Sequence, residues 1–167
     1  MKKLLLTVTV VSLFPAAILA QGIAGLWQTI DDETGKPKSV VLVYEESGLL
    51  FGKILFTYND DGLPDLIDSG KGGKICNPAK LSKIDDKPYC GLVFLKDLKL
   101  SKDGKKYENG SITDPKKDKT YKASAELGKD GLLTVRGMLG GGLLKALGRN
   151  QIWRPVKAED LPKGFVF

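Results

Sequence analysis

The sequence predicts an all-β fold of eight antiparallel up-and-down strands, a barrel or a sandwich, and two observations carry that strand pattern. Short stretches rich in Val, Ile, Leu, Tyr and Phe recur between Gly, Asp, Lys and Pro clusters, the pattern of a barrel or sandwich. The clusters themselves carry turn chemistry: Asp32-Glu33-Thr34-Gly35, Ser47-Gly48, Asp103-Gly104, Asp114-Pro115 and Lys129-Asp130-Gly131 supply the left-handed or fixed-φ positions that tight hairpins need.

In chain order, Met1-Lys2-Lys3, an apolar run from Leu4 to Phe14, Pro15 and the small-residue stretch Ala16 to Ala20 read as a Sec-type signal peptide cleaved after Ala20. A retained anchor is the rival reading, but the run is well short of the ~20 apolar residues that span hydrocarbon. No cysteine stands near the cleavage point to be lipidated, so the expected location is periplasmic or secreted. Removing 20 of 167 residues leaves 147, a single domain over 21–167. The net charge of +6 falls to +4 without Lys2 and Lys3, and the remaining lysines alternate with acids as on a solvated face. Nothing matches a nucleic-acid-binding motif.

Strands are predicted at 23–31, 38–45, 49–58, 89–97, 106–113, 119–127, 132–138 and 149–155. Two connections break the hairpin rhythm, 59–87 and 140–148, and long connections in compact domains often carry function. In the second, Gly140-Gly141-Gly142 lacks the ending of a phosphate loop, and Leu143, Leu144 and Leu147 read either as a cap on the barrel or as an apolar lid at a ligand portal. Cys76 and Cys90 are read as a structural disulfide closing about fifteen residues, worth ~3 kcal/mol in the chain-entropy estimate.

Alternation assigns faces, because residues i, i+2 and i+4 of a strand share one. On the third strand Leu50, Gly52, Ile54, Phe56 and Tyr58 are placed inside, since Lys53 lies on the other face; Tyr121, Ala123, Ala125 and Leu127 are placed inside by the same argument. The seventh strand is ambiguous: Leu132, Thr134, Arg136 and Met138 oppose Leu133, Val135 and Gly137.

The absence of histidine removes Ser-His-Asp and Cys-His catalysis and the usual zinc sites, so no catalytic residue, metal or cofactor is assigned and a non-enzyme is expected. Asp31 and Asp32 project to opposite faces of a strand and suit a hairpin entry better than a carboxylate dyad. Asp60, Asp61, Asp65 and Asp68 do not follow the order of an EF-hand loop.

Gly25-Leu26-Trp27 on the first strand and Arg149 to Arg154 on the last become neighbours when a barrel closes, which puts the Arg154 guanidinium within reach of the Trp27 indole. Both are assigned as structural closure residues. A Gly-x-Trp near the start of such a barrel with an Arg on its last strand resembles the calycin superfamily, which includes lipocalins and fatty-acid-binding proteins.

The order Gly25-x-Trp27, Asp31-Asp32-x-Thr34-Gly35-Lys36-Pro37-Lys38-Ser39, Gly52-Lys53-Ile54, Asp86-Lys87-Pro88, Asp114-Pro115, Tyr121, Val135-Arg136-Gly137 and Gly148-Arg149-x-Gln151-x-Trp153-Arg154 is similar to a family of secreted bacterial proteins catalogued as a domain of unknown function. The resemblance implies that the strands close as a lipocalin-like, eight-stranded antiparallel up-and-down barrel, and it transfers no activity.

Two functions fit. One is a periplasmic or secreted binding protein for a small apolar or amphipathic ligand such as a fatty acid, with Leu50, Ile54, Phe56, Tyr58, Tyr121 and Arg136 as ligand-binding residues. There Arg136 pairs the ligand's carboxylate if it faces inward. The other is a filled barrel that meets an envelope protein or membrane surface through the 31–38 hairpin and the 143–147 loop.

Overall fold

The computed structural model describes residues 22–139 and 148–167. The signal segment and the Leu143–Leu147 cap or lid lie outside the described residues. Among the described residues ten strands form: β1 (Gly25–Ile30), β2 (Pro37–Glu46), β3 (Leu49–Thr57), β4 (Leu66–Asp68), β5 (Lys74–Cys76), β6 (Val93–Leu100), β7 (Tyr107–Asp114), β8 (Lys119–Leu127), β9 (Leu133–Met138) and β10 (Gly148–Val156).

Eight of them close an antiparallel barrel in the order β1-β10-β9-β8-β7-β6-β3-β2, the up-and-down architecture expected from the hairpin signals. Ser47 (φ 53°) and Gly48 (φ 77°) both take the left-handed conformation between β2 and β3, matching the twist of the flanking strands. At Gly110 on β7, an added Cβ would sit 2.3 Å from the Lys96 carbonyl oxygen and 2.7 Å from Leu98 Cγ, so only glycine permits that approach to β6.

The core fills the end of the barrel that carries the 47–48, 101–106 and 128–132 turns. Trp27, Leu50, Leu95, Leu98, Leu133 and Trp153 are fully buried there. The Trp27 Nε1–H donates to the Ile23 carbonyl at 2.9 Å, which satisfies the indole's one donor. Arg154, by contrast, is exposed and paired in register with Gln28. Trp27 and Arg154 therefore occupy opposite faces of the closing seam, and the anticipated guanidinium–indole contact gives way to the alternation of β10, which sends Trp153 inward and Arg154 outward.

A second apolar layer lies on the outside. The connection predicted at 59–87 contains the β4–β5 ribbon, and together with the C-terminal segment it covers Val40, Leu55 and Phe56 on the outer wall of β2 and β3. The Lys74 N–H donates to Gly164 O (2.7 Å), the Val166 N–H donates to Lys74 O (2.9 Å), and Phe165 packs edge-on against Phe56 at 5.0 Å. The Cys76–Cys90 disulfide forms, with Cα atoms 5.7 Å apart, and ties the ribbon to the segment leading into β6.

That outer layer explains where Phe56 and Tyr58 lie. β2 pairs Val41 with Ile54 but Val40 with Phe56, so one residue of β3 is bulged and the parity of the strand inverts beyond Ile54. Leu50, Gly52 and Ile54 face in, as alternation predicts, whereas Phe56 and Tyr58 join the outer cluster and Thr57 faces the interior instead. The predicted strand 89–97 is also displaced: β6 begins at Val93, because Tyr89 to Leu92 form a turn, in which the Leu92 N–H donates to Tyr89 O (3.1 Å) and the Gly91 N–H to Ile54 O (2.8 Å). The isolated alternation of β9 resolves with Leu133, Val135 and Gly137 inside.

Candidate functional site

At the end opposite the two tryptophans, the barrel opens into a cavity of about 300 Å³. Its wall is apolar: Ile54 from β3, Phe94 from β6, Ile112 from β7, Val135 from β9 and Leu139 just past β9. Phe94 packs at 6.0 Å from the Trp153 ring and so forms the boundary with the solid core. The space exists because small residues face it. Gly137 projects no side chain, and a Cβ built there would meet Ile112 at 3.4 Å and Tyr121 at 3.7 Å, ordinary contact with room for a larger group to extend into the cavity.

Three hydroxyls sit on the adjacent strands β1, β2 and β3, and Thr113 on β7 adds another to the lining. Thr29 and Ser39 share a hydrogen bond of 2.7 Å between their hydroxyls, and Thr57, on the neighbouring strand, accepts from Lys80 Nζ at 3.3 Å. These hydroxyls are buried, and no buried side-chain polar atom among the described residues lacks a partner. Tyr121 and Gln151 add two further polar edges, and Tyr89 hangs over the mouth from the segment next to Cys90. The Lys80 ammonium stands 5.9 Å from the Tyr89 ring centroid, a cation–π contact. Burial, reinforced by the Asp114 carboxylate, pushes the Tyr89 phenol above its ordinary value, so at neutral pH it remains a hydrogen-bond donor.

The rim is basic. Lys38, Lys116, Lys117 and Arg149 line it, with Asp114 as the acidic member. Local turn chemistry sets this arrangement: Asp114 Oδ1 accepts from the Lys116 N–H at 2.8 Å and its carbonyl accepts from the Asp118 N–H at 2.9 Å, which fixes the tight β7–β8 hairpin that carries both lysines. Asp31 and Asp32 separate as expected. Asp31 Oδ1 accepts from the Glu33 and Thr34 N–H groups and the Thr34 hydroxyl, which holds its carboxyl below the usual value, while Asp32 pairs with Arg149 Nε at 2.7 Å. Among the described residues, no group of His, Cys, Asp or Glu side chains is placed to hold a metal.

Of the residues anticipated to bind a ligand, the structure brings Ile54 and Tyr121 together in the cavity wall. Leu50 lies deeper, packed in the solid core. Phe56 and Tyr58 are outside, where Tyr58 Oη accepts from Gln28 Nε2 at 3.0 Å. Arg136 is on the outer face of β9, with its guanidinium 3.3 Å from Asn150 Oδ1, because Val135 and Gly137 take the inward positions on either side. Sequence reasoning missed Thr29, Ser39, Thr57, Tyr89, Phe94, Ile112 and the basic rim. Strand pairing with correct bulges would have found the first three, whereas Phe94 falls within the predicted strand 89–97 beside Leu95, and with both residues apolar alternation alone assigns neither face.

A solved structure of a Helicobacter pylori protein described as belonging to the lipocalin family is 23% identical to this chain, covers 84% of it and 86% of its own chain, and superposes with a TM-score of 0.59. The likeness shows a lipocalin-like fold. No curated protein matches the chain. The model of a family described as "uncharacterized protein conserved in bacteria", DUF2147, matches residues 25–154, from the first barrel strand into the last, and the chain belongs to that family.

Proposed function

We propose that this protein is a non-catalytic carrier or sensor that holds one small apolar or amphipathic ligand, a fatty acid or similar amphiphile, in the mouth of its barrel. The observation that carries the reading is the apolar cavity of about 300 Å³, open at one end of a barrel whose other end is solid. That volume stands at the lower end of the range for small-molecule sites, and an apolar wall with a few placed polar groups is their usual composition. The Cys76–Cys90 disulfide supports an oxidising, extracytoplasmic setting, in keeping with the signal-like N-terminus.

The test is native mass spectrometry of the protein purified from the periplasm, alongside the Gly137→Leu variant, whose added side chain would occupy the cavity. A stoichiometric extra mass that denaturation releases, present in the wild type and absent from Gly137→Leu, is the expected result. A bare wild-type protein that also takes up no fatty acid from a panel would overturn the reading.

A further inference from the structure

We infer that the basic rim is a headgroup site, and that the ligand is an anionic amphiphile held tail-inward, its head at Lys38, Lys116 and Lys117 and its tail of medium length ending on Phe94. This inference rests on the carrier reading and specifies which ligand that cavity takes and in which orientation.

Orientation follows from where charge lies. The buried polar side chains facing the barrel interior are the hydroxyls of Thr29 and Ser39, which satisfy each other, and Thr57, which accepts from Lys80. Arg136, the cation that could have met a carboxylate inside, is on the outer face beside Asn150. Lys80, the cation on Thr57, is an exposed residue that reaches this hydroxyl from the surface, so a charged head driven past Thr57 toward Phe94 would be desolvated without a counter-charge. At the mouth the balance is reversed. Lys38, Lys116 and Lys117 make no ion pair among the described residues. Arg149 is already matched by Asp32 at 2.7 Å, and the Asp114 carboxylate is engaged by the Lys116 N–H within its own turn. Three lysines against one carboxylate leave an excess of positive charge around an apolar opening, a match for a carboxylate or phosphate head.

Tail length follows from the floor. Phe94 rests on Trp153, and Trp27, Trp153 and Leu50 are fully buried beneath it. The cavity-lining residues on and just past β9 run from Val135 through Gly137 to Leu139, four residue steps or roughly 13 Å along the chain and less along the tilted barrel axis. A long alkyl chain would have to leave part of its length in water.

The experiment is isothermal titration calorimetry of the wild-type protein with decanoate, decyl phosphate, decanol, decyltrimethylammonium and octadecanoate, repeated with the Lys38→Gln/Lys116→Gln/Lys117→Gln variant. All three lysines lie at the surface end of the barrel, so the variant is expected to fold. Decanoate and decyl phosphate should bind at least about tenfold more tightly than decanol, with a salt dependence that decanol lacks. The triple variant should bring decanoate to the level of decanol and leave decanol itself unchanged. Decyltrimethylammonium should bind more weakly than decanol, and octadecanoate should gain nothing over decanoate. Equal binding of decanoate and decanol, or loss of both in the triple variant, would overturn the headgroup site while leaving the cavity reading standing. A large gain for octadecanoate would overturn the floor. Binding of none of the five would bring down the carrier reading together with the inference.

Discussion

At the end of the barrel that carries the Ser47-Gly48 turn, the interior is solid, with Trp27, Leu50, Leu98, Leu133 and Trp153 fully buried in one cluster. At the other end, strands of the same alternating kind place Thr29, Ser39, Thr57 and Gly137 inward and leave a cavity of about 300 Å³ under a basic rim. The difference lies in side-chain volume and not in topology, since all eight barrel strands run through both ends. Large apolar groups fill a barrel of this width, whereas small hydroxyls that bond to one another and a glycine do not. Stability and ligand capacity therefore reside at separate ends, and mutations should separate them.

The largest effect is expected at the solid end. Trp27→Ala removes the indole and its bond to Ile23 O, and should cost ~3–5 kcal/mol in denaturant unfolding while leaving decanoate affinity of the folded protein nearly unchanged. A loss of affinity matching the loss of stability would break the division between the two ends. The disulfide belongs to the cavity end, where it ties the outer ribbon to the segment that carries Tyr89. Cys76→Ser/Cys90→Ser should lower stability by ~3 kcal/mol and also weaken ligand binding, because Tyr89 next to Cys90 overhangs the mouth. Urea unfolding and calorimetry on the same variant read both effects. Gly137→Leu should do the reverse of Trp27→Ala, lowering affinity at least about tenfold with stability changed by no more than ~1 kcal/mol, provided the leucine enters the cavity without displacing its neighbours.

A smaller effect concerns the rim of the solid end, where Tyr107 packs beside the core and donates to Glu45. Burial first, then the Glu45 hydrogen bond and charge, push its phenol up to about 12 from an ordinary value of 10.0. The unfolded chain then releases that proton before the folded one, so this contribution is fully present below pH 10 and is lost as pH rises toward about 12. Tyr107→Phe should flatten that part of the stability profile relative to wild type. Arg136→Ala is expected to change ligand affinity least, because its guanidinium lies against Asn150 on the outer face; a clear loss of decanoate binding would contradict the placement of the site.

Much of this architecture is legible in the residues themselves. Turn chemistry at Ser47-Gly48 and Asp114-Pro115, together with alternation on β8, places the hairpins and sends Tyr121, Ala123 and Ala125 inward. What alternation cannot report is a bulge. Leu49-Leu50-Phe51-Gly52-Lys53-Ile54-Leu55-Phe56 is apolar on both faces near its end because the β4–β5 ribbon and Phe165 cover the outside, and so the inversion of parity after Ile54 leaves no polar residue out of place to reveal it. The position of Arg136 was open for a related reason: its strand presents apolar residues on both sides, and only the pairing of Val135 with Gln151 and Ala125 fixes which faces in. The basic rim was invisible as a unit, since Lys38 and Lys116-Lys117 come from hairpins far apart in sequence that only barrel closure brings together.

The most direct measurement is a crystal structure of the protein with ω-bromodecanoate, in which anomalous scattering locates the bromine at the end of the tail. Bromine is expected between Ile54, Phe94 and Val135, with the carboxylate among Lys38, Lys116 and Lys117. Bromine at the mouth with the carboxylate inside, or bromine only on the outer layer near Phe165, would contradict this placement.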